Sequence, residues 1–201
     1  MIGADIILTD NASTALRDYG AKFRRGAQSE MERFGQDWTR RLVSERLSGR
    51  PGVKRRTGNL ARSFKSRTFD SRLLGAIVLD VQPEGPGSEY AHIQEFGGTI
   101  RPKRAKNLWI PIAGNLTPAG VARITPTEAI NRGGFFAKGI FFGKPLVGKG
   151  KAQAAPVPLF VLKKSVTVKG RMGASTLWAE SMPSLTARLD AVASALAKGG
   201  A

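Results

Sequence analysis

Apolar residues return at steps of three or four through residues 13–47: Leu16, Tyr19, Phe23, Ala27, Met31, Phe34, Trp38 and Leu42. That is the period of a helix with one buried stripe, so a single long helix is predicted over 13–47. Asn11 or Ser13 supplies an N-cap, and Ser48-Gly49 followed by Pro51 supplies a stop. Gly20, Gly26 and Gly35 lie inside the stripe, each costing about 1 kcal/mol against Ala. Such a helix needs tertiary or subunit contacts to hold it. The pattern then changes. Thr57 reads as the cap of a short helix with Leu60 and Phe64 on one face. Lys65–Phe69 and Leu73–Val81 read as strands about a turn at Asp70-Ser71. Glu89–Phe96 forms two helical turns closed by Gly97-Gly98.

Thr99-Ile100-Arg101 and Leu108–Ile112 read as two strands of a hairpin whose tip is Pro102–Asn107. Residues 113–157 hold no sustained period and are expected to be a long Gly-rich loop, a rare feature inside a compact domain. Leu159–Val168 alternates as one strand. Residues 175–197 form a closing helix with Leu177, Met182, Leu185, Leu189, Val192 and Leu196 on one stripe, and Pro183 kinks it or moves its start. No internal repeat is present. The expected fold is α+β: a small, mostly antiparallel sheet packed by a long N-terminal helix and a C-terminal helix. The expected organisation is a single domain over residues 1–201, with 113–157 a basic Gly-rich insertion within it.

Composition removes most chemistry. At 201 residues and 41% apolar the chain can bury a core. With no Cys there is no disulfide framework, thiolate zinc site or Cys nucleophile, and a single His, His92, leaves no room for a His-rich metal site. Glu30 and Glu32 are two apart on a helix and do not face each other, while Glu84 and Glu89 flank a loop. The run Gly143–Gly150 nearly matches a nucleotide-binding phosphate loop, but it lacks the final Ser/Thr, and no acidic residue follows nearby to complete a magnesium site. The expectation is no enzyme, no cofactor and no metal. Asp5 and the short run Ile6-Ile7-Leu8 do not read as a secretory signal, and nowhere do 18 uncharged apolar residues run together, so no membrane partner is expected.

Charge is the strongest positive signal. Lys and Arg number 32 against 15 Asp and Glu, a net +17, which calls for a polyanion or a strongly acidic protein as partner. Residues 96–179 hold 14 basic residues and one acid, Glu128. The contact candidates there are Arg101, Lys103, Arg104 and Lys106 at the hairpin tip, then Lys144, Lys149 and Lys151 in the insertion. Clustered cations neutralise phosphates, and Trp109 beside them either stacks on a base or belongs to the core of its apolar strand. An acidic protein surface or plain solvation are the alternatives for these cations.

The order of segments adds a resemblance. Thr57-Gly58-Asn59-Leu60-Ala61-Arg62-Ser63 resembles the TGxLxxS segment of phage tail-completion and virion-morphogenesis proteins, the minor tail protein Z-like families. Tyr90 through Gly98, with Glu95, Phe96 and Gly97, looks like their YAxxxEFG element, and Leu108–Pro111 and Pro158–Leu162 fall where those proteins carry later strands. The likeness covers about residues 13–112 and 156–197. Where many relatives have an Ala-Arg-Pro-Phe-type segment before the last helix, this chain has Lys169–Gly173. The resemblance implies a structural component of a tailed-phage virion, a tail terminator or head–tail connector assembled in the host cytoplasm. It implies a ring of identical subunits, six-fold or twelve-fold, with other neck and tail-tube proteins as neighbours and packaged DNA in its channel. In such a ring, Gly97 would take a left-handed backbone conformation to shape a strand entry. The alternative is a basic nucleic-acid-binding protein acting outside a virion.

Overall fold

The computed structural model describes residues 12–49, 52–71, 73, 75–144 and 155–199. Expectations for Ile6–Leu8, Asn11, Pro51, Lys149, Lys151 and most of Gly143–Gly150 lie outside them. In chain order the elements are α1 (Ala12–Arg46), α2 (Asn59–Ser63), β1 (Phe64–Ser71), β2 (Ala76–Pro83), α3 (Ser88–Phe96), β3 (Gly98–Ile100) and β4 (Leu108–Pro111). Then follow α4 (Pro126–Asn131), β5 (Phe135–Ala137), β6 (Ile140–Gly143), β7 (Val157–Lys163), β8 (Val166–Val168) and α5 (Ala174–Lys198). The class is α+β, with every strand pairing antiparallel. Where the sequence reads as one domain, the described residues form two compact units, one drawn from 1–44, 64–84 and 174–201 and the other from 45–63 and 85–173.

In the first unit the apolar stripe of α1 is buried only from Ala27 onward, through Phe34, Trp38 and Leu42, whereas Leu16 and Tyr19 are exposed. The periodicity marks a face; burial needs something to cover it. Cover comes from α5, whose Leu177 is fully buried and whose Trp178 meets Phe34 and Trp38 edge-on at 5.9 and 5.1 Å. The helical glycines then have a reason. A methyl group on Gly26 would lie 2.6 Å from Val192 Cγ1, and one on Gly35 would lie 2.8 Å from Leu79 Cδ1. Each glycine lets a neighbour approach closely. The helix α5 runs through Pro183 without breaking. The β1–β2 hairpin turns just after Ser71, slightly later than the sequence suggests. Arg24 pairs with Asp70, Arg188 with Asp37 at 2.8 Å, and Arg67 with Glu84 at 2.6 Å.

In the second unit the sheet order is β4-β7-β6-β5, beside the separate pair β3-β8. Ile124, Ala129, Phe141, Leu159 and Phe160 form the core, with Trp109, Val157 and Leu162 packed against it. Four expectations change here. The segment 113–157 is not one long loop: it supplies α4, β5, β6 and the fully buried Asn115. Asn115 Nδ2 donates to Ile124 O at 3.0 Å, and its Oδ1 accepts from the N–H groups of Arg123 and Ile124. These pieces are too short for a local period and gain burial only by pairing across the chain. Second, β3 and β4 do not form a hairpin; β3 pairs β8 and β4 pairs β7. Third, Leu159–Val168 is two strands, broken at Lys164-Ser165. Fourth, Leu60 and Phe64 share no helix face, because α2 ends at Ser63 and Phe64 opens β1.

Candidate polyanion interface

The strand registers define the basic loop. Ile100 lies opposite Val166, and Leu108 lies opposite Lys163. On one side of this antiparallel run residues 101–107 bulge out, while the other side crosses the same gap with only Lys164 and Ser165. Arg101, Lys103, Arg104 and Lys106 are all exposed on the bulge, and exposed Lys163 and Lys164 face it across the ladder. Six exposed cations therefore fall on the bulge and on the short segment opposite it. Lys163 and Lys164 escape sequence reasoning, although a Lys pair interrupting an alternating apolar run was a usable signal. Lys144 is exposed just beyond β6. Trp109 is half-buried, with Phe136, Phe141 and Phe160 each 5.4 Å from its ring, so its faces serve the core rather than a base.

The charge divides with the structure. Over its residue ranges the second unit holds 20 Lys and Arg against 4 Asp and Glu, net +16; the first holds 12 against 11, net +1. Glu128, the acid of 96–179, is committed to its own helix. Its Oε2 accepts from the Thr125 N–H at 2.7 Å in a capping box, and these bonds hold its carboxyl below the ordinary value.

Two separated motifs meet in the same unit. Thr57, Gly58 and Leu60 line a cavity of about 180 Å³ together with Tyr90 and Gln94 of α3. Thr57 is not the cap itself: its hydroxyl accepts from Asn59 N–H at 3.4 Å, and Gly58 stands next to the helix start. Arg62 Nη2 donates to Thr57 O at 3.2 Å and to Asn59 Oδ1 at 2.7 Å, which fixes the loop. Gln94 Oε1 is buried without a hydrogen-bond partner. Farther along, Phe96 is exposed and its ring lies 5.0 Å from that of His92. Gly97 caps α3 with φ +76° and ψ −176°, and its N–H donates to Ile93 O at 3.0 Å. The φ is positive as expected, but ψ lies outside the left-handed helical region, in territory that only glycine occupies readily. The Lys169–Gly173 segment docks on this end: the N–H groups of Arg171 and Met172 both donate to Gln94 O.

Among the described residues, no group of three or more His, Cys, Asp or Glu could hold a metal ion, and no helix is long and apolar enough to cross a membrane. The arrangement presents cations and a small polar-rimmed cavity on an α+β frame. Comparison with protein families, curated proteins and solved structures finds no match for the chain.

Proposed function

We propose that the chain is a structural subunit of the neck or tail-completion ring of a tailed bacteriophage, with its basic unit turned toward packaged DNA. One observation carries the reading: the TGxLxxS-like and YAxxxEFG-like segments, about 30 residues apart, line one cavity. Their meeting at one cavity supports reading the two segments as one arrangement rather than as two separate likenesses. The concentration of net charge in that unit supports the DNA-facing part. A ring multiplies such a field, since six subunits carry about six times the charge of one. Edge strand β5 exposes about half of Phe135 and Phe136, an apolar edge that a neighbouring subunit would cover.

The test is absolute peptide quantification in gradient-purified, nuclease-treated tailed particles from the source. A fixed copy number on the order of six or twelve per particle is expected from ring symmetry. Absence from the particles would overturn the proposal in favour of a nucleic-acid-binding protein that acts alone.

A further inference from the structure

The loop Lys54–Arg62 holds a feature that the fold itself does not use. Gly58 has φ +78°, and a methyl group in place of its outward hydrogen would lie 3.1 Å from Arg55 Nε, 3.2 Å from Arg55 Nη2 and 3.1 Å from Arg62 Nη1. Two legs of 3.1 Å leave a nitrogen of Arg55 and one of Arg62 no more than about 6.2 Å apart beside Gly58, which is itself buried. Bringing two like charges this close costs energy that a bound counter-charge would offset. None stands there. No carboxylate lines the cavity, and among the described residues none pairs with Lys54, Arg55 or Arg56.

We propose that this loop is an oxyanion site that takes a phosphate group over Gly58, gripped by Arg55 from one side and Arg62 from the other. The division of labour follows from the hydrogen bonds. Arg62 is anchored through Nη2 to Thr57 O and Asn59 Oδ1, which leaves Nη1 beside Gly58. Arg55 approaches with Nε and Nη2 together, the pair of donors that matches two oxygens of one phosphate. Glycine suits position 58 because a side chain would push against both guanidiniums as well as strain the backbone. Lys54 and Arg56 add charge at the rim, while Leu47, Leu60 and Tyr90 wall the cavity. The attraction comes from the guanidiniums; α2, five residues long, adds no helix-end field of consequence.

The shared chemistry is a phosphate oxyanion, from a nucleic-acid backbone or from free phosphate. The site does not depend on the neck reading, and its test uses the isolated full chain. Inorganic phosphate is titrated at constant ionic strength while backbone amides are followed by NMR. Saturable shifts centred on Gly58 and Asn59 are expected. The double variant R55Q/R56Q should weaken that binding about tenfold, the loss expected from a charge-assisted contact. R101Q/R104Q removes the same net charge elsewhere and should leave it nearly unchanged. Equal weakening by both pairs, or no saturable shift at Gly58, overturns the proposal. A duplex oligonucleotide then separates the sources. If it shifts Gly58 and R55Q/R56Q costs it more affinity than R101Q/R104Q does, the backbone phosphate is the ligand; if only inorganic phosphate does so, free phosphate is.

Discussion

At the scale of single residues, Gly97 combines a backbone conformation and a close contact that both depend on having no side chain. Its positive φ with extended ψ is a conformation other residues adopt only under strain, and a methyl there would lie 2.8 Å from both Gly170 N and Val168 O. Those contacts are backbone atoms and cannot swing aside. Gly97→Ala should therefore destabilise the protein by about 2–4 kcal/mol, combining backbone strain with overpacking. Urea unfolding checks it: the midpoint should fall with little change in slope, and an unmoved midpoint would show that the α3 terminus relaxes freely. The Gly97-Gly98 stop of α3 was legible because a helix end is local. The partner across from it, Gly170, was not legible, since nothing in the text near Gly97 names a residue more than 70 positions away.

At the scale of elements, strand existence was easier to read than strand partnership. Thr99–Arg101 and Leu108–Ile112 carry extended text, but closing a hairpin between them would compete with a longer antiparallel run against 157–168. The longer run wins by burying Trp109 among Phe136, Phe141 and Phe160. The same exchange leaves β5 at the edge of its sheet. Phe135 stacks on Phe142 at 5.5 Å and is still half exposed. Phe135→Lys places a charge on that edge, a device that discourages strand-edge association. If the proposed ring closes through this edge, the substitution should move any assembled species toward monomer in sedimentation while the far-ultraviolet spectrum stays the same. A ring that survives the substitution places the subunit contact elsewhere.

At the scale of the whole molecule, the division of charge matters more than its sum. A nearly neutral unit, internally paired, is joined to one of net +16. DNA association should accordingly be steeply salt-dependent and carried by the second unit. Replacing Arg101, Lys103, Arg104 and Lys106 together with Ser should weaken binding and lower the slope of log K against log salt by about 3–4, if each meets a duplex phosphate. An unchanged slope removes this loop from the DNA surface. Because Lys163 and Lys164 face the same loop, replacing them as well should lower the slope further.

Local physics settled a good part of this protein before any folding was considered. Periodicity marked α1 and α5, the Gly97-Gly98 stop marked α3, composition left thiolate chemistry no residues, and the run of cations placed the field in the middle of the chain. Those properties depend on neighbours within a few positions, or on no neighbours at all. The tertiary structure alone decided which strands pair, that the described part of 113–157 joins the core, that Lys163 and Lys164 lie opposite the basic loop, and that Arg55 and Arg62 converge on Gly58. Short apolar pieces have no period to read, and their burial energy is realised only when distant segments meet. A cluster of like charges likewise becomes a site only when the backbone holds its members on one side.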